Sequence, residues 1–146
     1  MKIALREAAK AGRKKEIPIG AVIVKDGKVL ACAHNLRERR KNVLCHAEVL
    51  AISRACRKLK SWRLTGCDIY VTLEPCAMCA GAIAQSRISN LYFGALDPKT
   101  GACGSLVDVL KADRLTHNVS VTAGVLAEEC SEILKDFFND LRRKKL

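Results

Sequence analysis

The run "CDIYVTLEPCAMCAGA", residues 67 to 82, restricts this chain more than any other stretch. Its first seven residues are rich in β-branched and aromatic side chains and read as a buried strand. Pro75 ends that strand, and proline suits the first position of a helix. The small residues that follow permit a closely packed helix. A strand therefore passes straight into a helix, with Cys76 and Cys79 at the junction. Three residues apart, the two thiols share one helix face. Near a helix N-terminus the aligned peptide dipoles favour thiolates. Two thiolates on one face are half of a tetrahedral zinc site. Other readings stay open at this point: a redox pair, although the aromatic flank of the thioredoxin type is missing; half of a zinc ribbon, although no second C-x-x-C exists; or two buried cysteines.

The rest of the chain surrounds this junction with alternating elements. Residues 2–11 read as a helix, with Ile3, Leu5, Ala8 and Ala9 near its apolar side. "IPIGAVIVKDGKVLACAHN" reads as two strands, and the Asp-Gly dipeptide in the turn Lys25-Asp26-Gly27-Lys28 signals a hairpin. "HAEVLAISRACRKL" is helical, with Val49, Ile52 and Cys56 on one side and Asn42 as its candidate N-cap. After the helix at 76–86 come a strand "ISNLYFGA", a loop "LDPKTGACGS" and a short helix around "LVDVL". A last strand "NVSVTAGVL" precedes a long amphipathic helix with a basic end, over 127–145. A hairpin followed by alternating helices and strands predicts an α/β fold, one central sheet covered on both faces. No linker or repeat interrupts it, so a single domain over 1–146 is expected.

The helix at 46–59 opens with His46 and Glu48. In mid-helix a spacing of two would turn these side chains to nearly opposite sides. At the first turn, with a metal lying off the helix end, both reach one pocket. His46 then supplies a third ligand beside Cys76 and Cys79. Three protein ligands leave a fourth position open for water, the pattern of catalytic zinc. Glu48 is read as the proton carrier beside that water, not as a ligand. Cys45 is an alternative ligand to His46, one helical step away. H-x-E on one helix and P-C-x-x-C on the next is the joint pattern of the zinc deaminases of cytosine and adenine.

Charge narrows the partner. The 26 Lys and Arg against 15 Asp and Glu give +11. That imbalance favours a polyanion, nucleic acid above all, over a basic but indifferent surface. No apolar run approaches the roughly 20 residues that cross a bilayer. The N-terminus lacks the apolar core of a signal peptide. A cytoplasmic protein without a membrane partner is expected. In that setting Cys32, Cys56, Cys67, Cys103 and Cys130 are expected as free, packed thiols.

On these residues the chain resembles the bacterial tRNA-specific adenosine deaminases (the TadA family) over essentially its whole length. The matching stretches are "IPIGAVIV", "HAE", "IYVTLEPCAMCAGA", "SRI", "FGALDPKTGACGSLVDVL", "HNVSVTAGVLAEEC" and "DFF". H-x-E with P-C-x-x-C is shared with cytidine, guanine and riboflavin-pathway deaminases, and the longer blocks narrow it to the tRNA branch. The resemblance implies a cytidine-deaminase-like fold: three-layer α/β/α around a mixed five-stranded sheet. It implies one Zn2+ per chain on His46, Cys76 and Cys79, with Glu48 as the catalytic proton shuttle. The implied reaction is hydrolysis of adenosine to inosine at the wobble position of a tRNA anticodon, with release of ammonia. The implied partners are the anticodon stem-loop and a second copy of the chain, the subunits of the homodimer shaping the RNA site jointly. Single-stranded DNA stays open as a further substrate.

The resemblance also assigns substrate contacts. Asn35 matches a residue that contacts the target base, and Ala47 is grouped with it. Asp97 and Lys99 match a loop near the RNA. Phe138 matches a residue beside a flanking base, with Arg142 near phosphates, whereas Phe137 is expected in the core. Asn42-Val43-Leu44-Cys45 departs from the usual D-P-T-x, which bears on affinity and selectivity more than on chemistry. The chain also begins inside what the family has as its first helix, as in a trimmed chain. Two other classes compete: a deaminase of a free base or nucleoside, and a non-catalytic RNA-binding module with structural zinc. The charge argues against the first, and Glu48 against the second.

Overall fold

Asp26 and Gly27 take positive φ, 51° and 74°, as in the two-residue turn whose twist matches the strands it joins. In the computed structural model, which describes residues 1–111 and 116–145, this turn links β1 (Gly20–Lys25) to β2 (Lys28–His34). β3 (Cys67–Leu73), β4 (Asn90–Ala95) and β5 (Ser120–Thr122) complete one five-stranded sheet in the order β2-β1-β3-β4-β5. β1 is antiparallel to β2 and β3, and β4 is parallel to β3 and β5. The sheet is therefore mixed, and the architecture is the α/β arrangement expected of a cytidine-deaminase-like fold.

Helices cover both faces. α1 (Lys2–Arg13) packs on β1 and β2 and meets α5 (Ala127–Lys144), which lies on β4. α3 (Ala47–Leu59) packs on β2 and β1 and meets α4 (Ala77–Gln85). A four-residue helix α2 (Arg37–Arg40) precedes α3. Two glycines set the depth of the first layer: a Cβ at Gly20 would collide with the backbone of Ala4 and Ala8, and one at Gly94 with the Cys130 side chain. No helix among the described residues is long and apolar enough to cross a membrane.

Several expectations are corrected. The buried stripe of α1 is Ala4, Glu7, Ala8 and Ala11, while Ile3, Leu5 and Ala9 are half-buried. Only small residues fit where the helix touches Gly20. On α3 the fully buried residues are Ala47, Glu48, Ala51 and Ala55, while Ile52 and Cys56 of the expected side are half-buried and pack against the core. β1 starts at Gly20, not Ile17, because the Ile19 N–H turns back to the Ile17 carbonyl at 2.8 Å. β5 has three residues, since the chain leaves the sheet to reach α5 through positive φ at Gly124 and Leu126. The short helix expected around Leu106–Leu110 is a single 3-10 turn, Val109–Lys111. All eight cysteines are free; Cys67 and Cys130 are buried, and Cys32, Cys56 and Cys103 half-buried.

Candidate metal and substrate site

Two helix N-termini meet at one point. His46 is the N-cap of α3 and Cys76 the N-cap of α4, each with extended backbone (φ −75°, ψ 151° and φ −73°, ψ 175°). This corrects the placing of the cap at Asn42, which instead folds the preceding turn by accepting the Leu44 N–H at 2.9 Å. Neither N-cap side chain makes a capping hydrogen bond. Both are aimed outward at a common position. His46 Nδ1 lies 3.7 Å from Cys76 Sγ and 3.6 Å from Cys79 Sγ. The three ligand atoms all lie within 4.8 Å of one another.

The spacing fits zinc. Bonds of about 2.3 Å to sulfur and 2.0–2.1 Å to nitrogen, at a tetrahedral angle, separate N and S by about 3.5–3.6 Å. Electrostatics agree with a cation. The hydrogen bond from the Cys79 thiol is the largest influence on Cys76 and, with His46, pulls its thiol down to about 4. Cys79 is pushed up, first by that same shared proton and then by burial. The hydrogen bond to Cys76 raises His46. One thiolate and a proton held among three donors is the state a divalent cation replaces. Cys45 is buried and lies outside this cluster among the described residues.

Glu48, the second helical residue of α3, points into the same space. It is 4% exposed, and burial pushes its carboxyl above the usual range. The extended backbone at His46 and the first helical turn thus bring a spacing of two residues to one spot. They open on a cavity of about 540 Å³, a volume suited to a nucleoside-sized group. Asn35, Ala47, Asp97, Lys99 and Phe138 all line it. Arg142 does not: its guanidinium donates to Asn139 Oδ1 at 2.9 Å. Phe137 is half-buried and meets Phe138 edge-on, with ring centroids 5.5 Å apart.

The walls are tied by groups that sequence reasoning missed. Glu74, 2% exposed, accepts the N–H groups of Asp97 (3.2 Å), Cys103 (3.1 Å) and Ser105 (3.1 Å), and the Ser105 hydroxyl. Burial alone would raise its carboxyl, but these bonds outweigh it and hold the group below its ordinary value. Asp97 folds the same loop, accepting Lys99 N–H at 3.0 Å and the Thr100 hydroxyl at 2.7 Å. Glu16, fully buried, accepts the N–H groups of Glu38 (3.2 Å) and Arg39 (2.7 Å), and so anchors α2. Asn35 is oriented at both ends of its amide. Its Nδ2 donates to Ile17 O at 3.3 Å, and its Oδ1 accepts from Arg37 N–H at 3.1 Å. Just before it, His34 Nδ1 pairs with Glu7 at 2.7 Å and Nε2 with Lys14 at 2.9 Å. An ammonium only donates, so Nε2 accepts and Nδ1 carries the proton.

Comparison with known proteins gives a consistent answer. Residues 1–142 match the MafB19-like deaminase family. The chain is 52% identical, over 99% of its length, to the tRNA-specific adenosine deaminase of Bacillus subtilis (strain 168), covering 90% of that protein. It is 48% identical to the tRNA-specific adenosine deaminase of Aquifex aeolicus (strain VF5), over 97% of this chain and 93% of the other. A solved chain from work on A-to-I editing by tRNA:A34 deaminases at the wobble position superposes with a TM-score of 0.89. It is 47% identical, over 92% of this chain and 97% of that one.

Proposed function

Because the chain belongs to the family of tRNA-specific adenosine deaminases, we propose that it hydrolyses adenosine to inosine at the wobble position of a tRNA anticodon, releasing ammonia. It does so as one deaminase domain. The observation that carries the reading is the convergence of His46, Cys76, Cys79 and the buried Glu48 on one nucleoside-sized cavity. His46, Cys76 and Cys79 would hold one zinc per chain, which supplies a water acidic enough to act as nucleophile near neutral pH.

Glu48 accepts a proton as that water's oxygen bonds to C6 of the adenine, and delivers it to N1. It then takes the proton of the new C6 hydroxyl and passes it to the exocyclic nitrogen as the C6–N bond breaks, so that ammonia leaves and the C6 carbonyl of inosine remains. Burial keeps the carboxyl basic enough for both transfers. Asn35 reads the base edge with the amide hydrogen and oxygen lone pair that Ile17 and Arg37 do not use. Ala47 contributes an N–H from the first helical position, where no intrahelical acceptor exists. Asp97 shapes the rim, Lys99 faces phosphate, and Phe138, 41% exposed, stacks beside a flanking base. Arg142 meets the RNA backbone outside the cavity.

The working unit is a homodimer in the cytoplasm. Val43 and Leu44, 66% and 54% exposed beside His46, and Leu106 and Val107, 60% and 50% exposed after the loop bound by Glu74, are the apolar surface a second copy would cover. The test compares an anticodon stem-loop carrying a wobble adenosine with free adenosine, guanine and cytidine at equal concentration. The stem-loop is expected to react fastest. Faster release of ammonia from any free base or nucleoside overturns the assignment in favour of a small-molecule deaminase.

A further inference from the structure

Between Leu36 and Cys67 the chain carries nine Lys and Arg and two carboxylates, Glu38 and Glu48. Glu48 is buried in the site, so the exposed charge of this limb is almost wholly positive. The limb runs from the cavity rim along α3 to the opposite end of the sheet. Thirteen helical residues at about 1.5 Å each place that end about 20 Å from His46. α5 is different, because Glu128, Glu129, Glu132, Asp136 and Asp140 outnumber its four cations, Lys135, Arg142, Arg143 and Lys144.

At the far end of α3 the cations are organised. Arg57 and Lys58 are exposed on its last turn, and Lys60 caps it in the left-handed conformation (φ 53°, ψ 40°). Trp62 follows, 54% exposed. The Arg63 guanidinium carbon lies 4.4 Å from the Trp62 ring centroid and that of Arg87 5.6 Å. The Leu64 N–H bonded to the Ser86 carbonyl at 2.7 Å clamps this loop to the end of α4, which brings the two arginines over one indole. Among the described residues none of these five cations forms an ion pair. Stacking on the indole face orients a guanidinium plane, and Arg87 is held further by its Nη1, which donates to the Ala84 and Gln85 carbonyls at 3.3 Å each and leaves its other N–H groups for a ligand. Oriented guanidinium N–H groups without a carboxylate partner suit phosphate oxygens.

We infer that Arg57, Lys58, Lys60, Arg63 and Arg87, arranged around Trp62, form a second RNA-contact surface that engages backbone phosphates of the tRNA outside its anticodon stem-loop. The inference rests on the proposed tRNA reading and extends it to a site that touches no reacting atom. Phosphate-binding surfaces of this kind position an RNA and add affinity without altering the chemical step.

The experiment uses full-length tRNA with a wobble adenosine and its isolated anticodon stem-loop, with wild-type protein and two double variants. Arg63→Ala/Arg87→Ala removes the stacked pair. Arg57→Ala/Lys58→Ala removes two solvent-facing helix cations with no packing role, so folding is not at stake. Each variant is expected to weaken full-length tRNA binding several-fold. The salt slope should flatten by about 0.7–0.9 for each phosphate that is no longer neutralised. The rate at saturating tRNA, and both binding and rate on the stem-loop, should stay at wild-type values. Wild-type affinity of both variants for full-length tRNA overturns the surface. Equal weakening for tRNA and stem-loop also overturns it. Failure of the tRNA reading is seen separately, as wild-type protein that deaminates neither RNA.

Discussion

Glu48 occupies a helix position where a carboxylate ordinarily faces water and complements the dipole, yet here it faces a cavity. Glu48→Gln keeps its shape and removes proton exchange. Turnover on the stem-loop should fall by about 10²–10⁴-fold, with zinc content and melting temperature unchanged. A near-normal rate with zinc in place removes Glu48 from the mechanism. Cys76→Ser should instead lose the metal, read by elemental analysis, because a serine hydroxyl near neutral pH is a poor replacement for a thiolate. These residues were legible in the sequence because their spacing is local: three between the thiols, two between His46 and Glu48. Glu74 and Glu16 were not, because their partners are backbone N–H groups more than 20 positions away, and such pairing leaves no periodic trace. Glu74→Gln places an amide NH2 against backbone donors. It should cost about 1–3 kcal/mol and raise KM more than it lowers kcat. The sign with pH follows from a folded value below the ordinary one of about 4.3. The stabilisation is complete above about pH 4.3 and is lost as pH falls through the lower folded value. Acid titration of the melting temperature should therefore show a steeper fall for wild type than for Glu74→Gln.

At the scale of elements, the order of helices and strands was readable from apolar periodicity, the Asp-Gly turn and Pro75. The faces were less so. Periodicity weights large side chains, and reading α1 by Ile3 and Leu5 misplaced a stripe made of Ala4, Ala8 and Ala11. The stripe is small because backbone meets backbone at Gly20, a long-range fact. The α3 cap was misplaced for a related reason. Asn42 is a strong capping residue, but its carbonyl oxygen closes the turn before the helix, and His46 takes the N-cap position with its side chain turned toward the two thiols. Gly20→Ala tests the close approach. Its Cβ would meet helix backbone, which cannot rotate away as a side chain can. Overpacking of this kind costs about 1–3 kcal/mol or more. The variant should melt lower while keeping its zinc, since β1 supplies no ligand. An unchanged melting temperature would mean that α1 is free to shift.

At the scale of the whole molecule, the charge of +11 is unevenly spread. The tail from Arg142 to Lys145 is the end of a helix whose earlier turns are acidic. Its field is therefore partly cancelled beyond a few ångströms. Exposed charges are also screened within about 8 Å at physiological salt. Replacing Arg142, Arg143, Lys144 and Lys145 by Ala should then weaken stem-loop binding most at low ionic strength. The curves for variant and wild type should converge as salt rises, because only the wild type has the tail's attraction to lose to screening. Turnover at saturating stem-loop should be unchanged, as none of the four lines the cavity. Free adenosine has no phosphate, so its KM should be the same for both proteins and flat with salt. The measurement is affinity and ammonia release for both substrates from low to high salt. Parallel binding curves at every salt concentration would show that the tail does not contact the RNA backbone. A salt-dependent KM for free adenosine would show instead that ionic strength acts on the cavity itself.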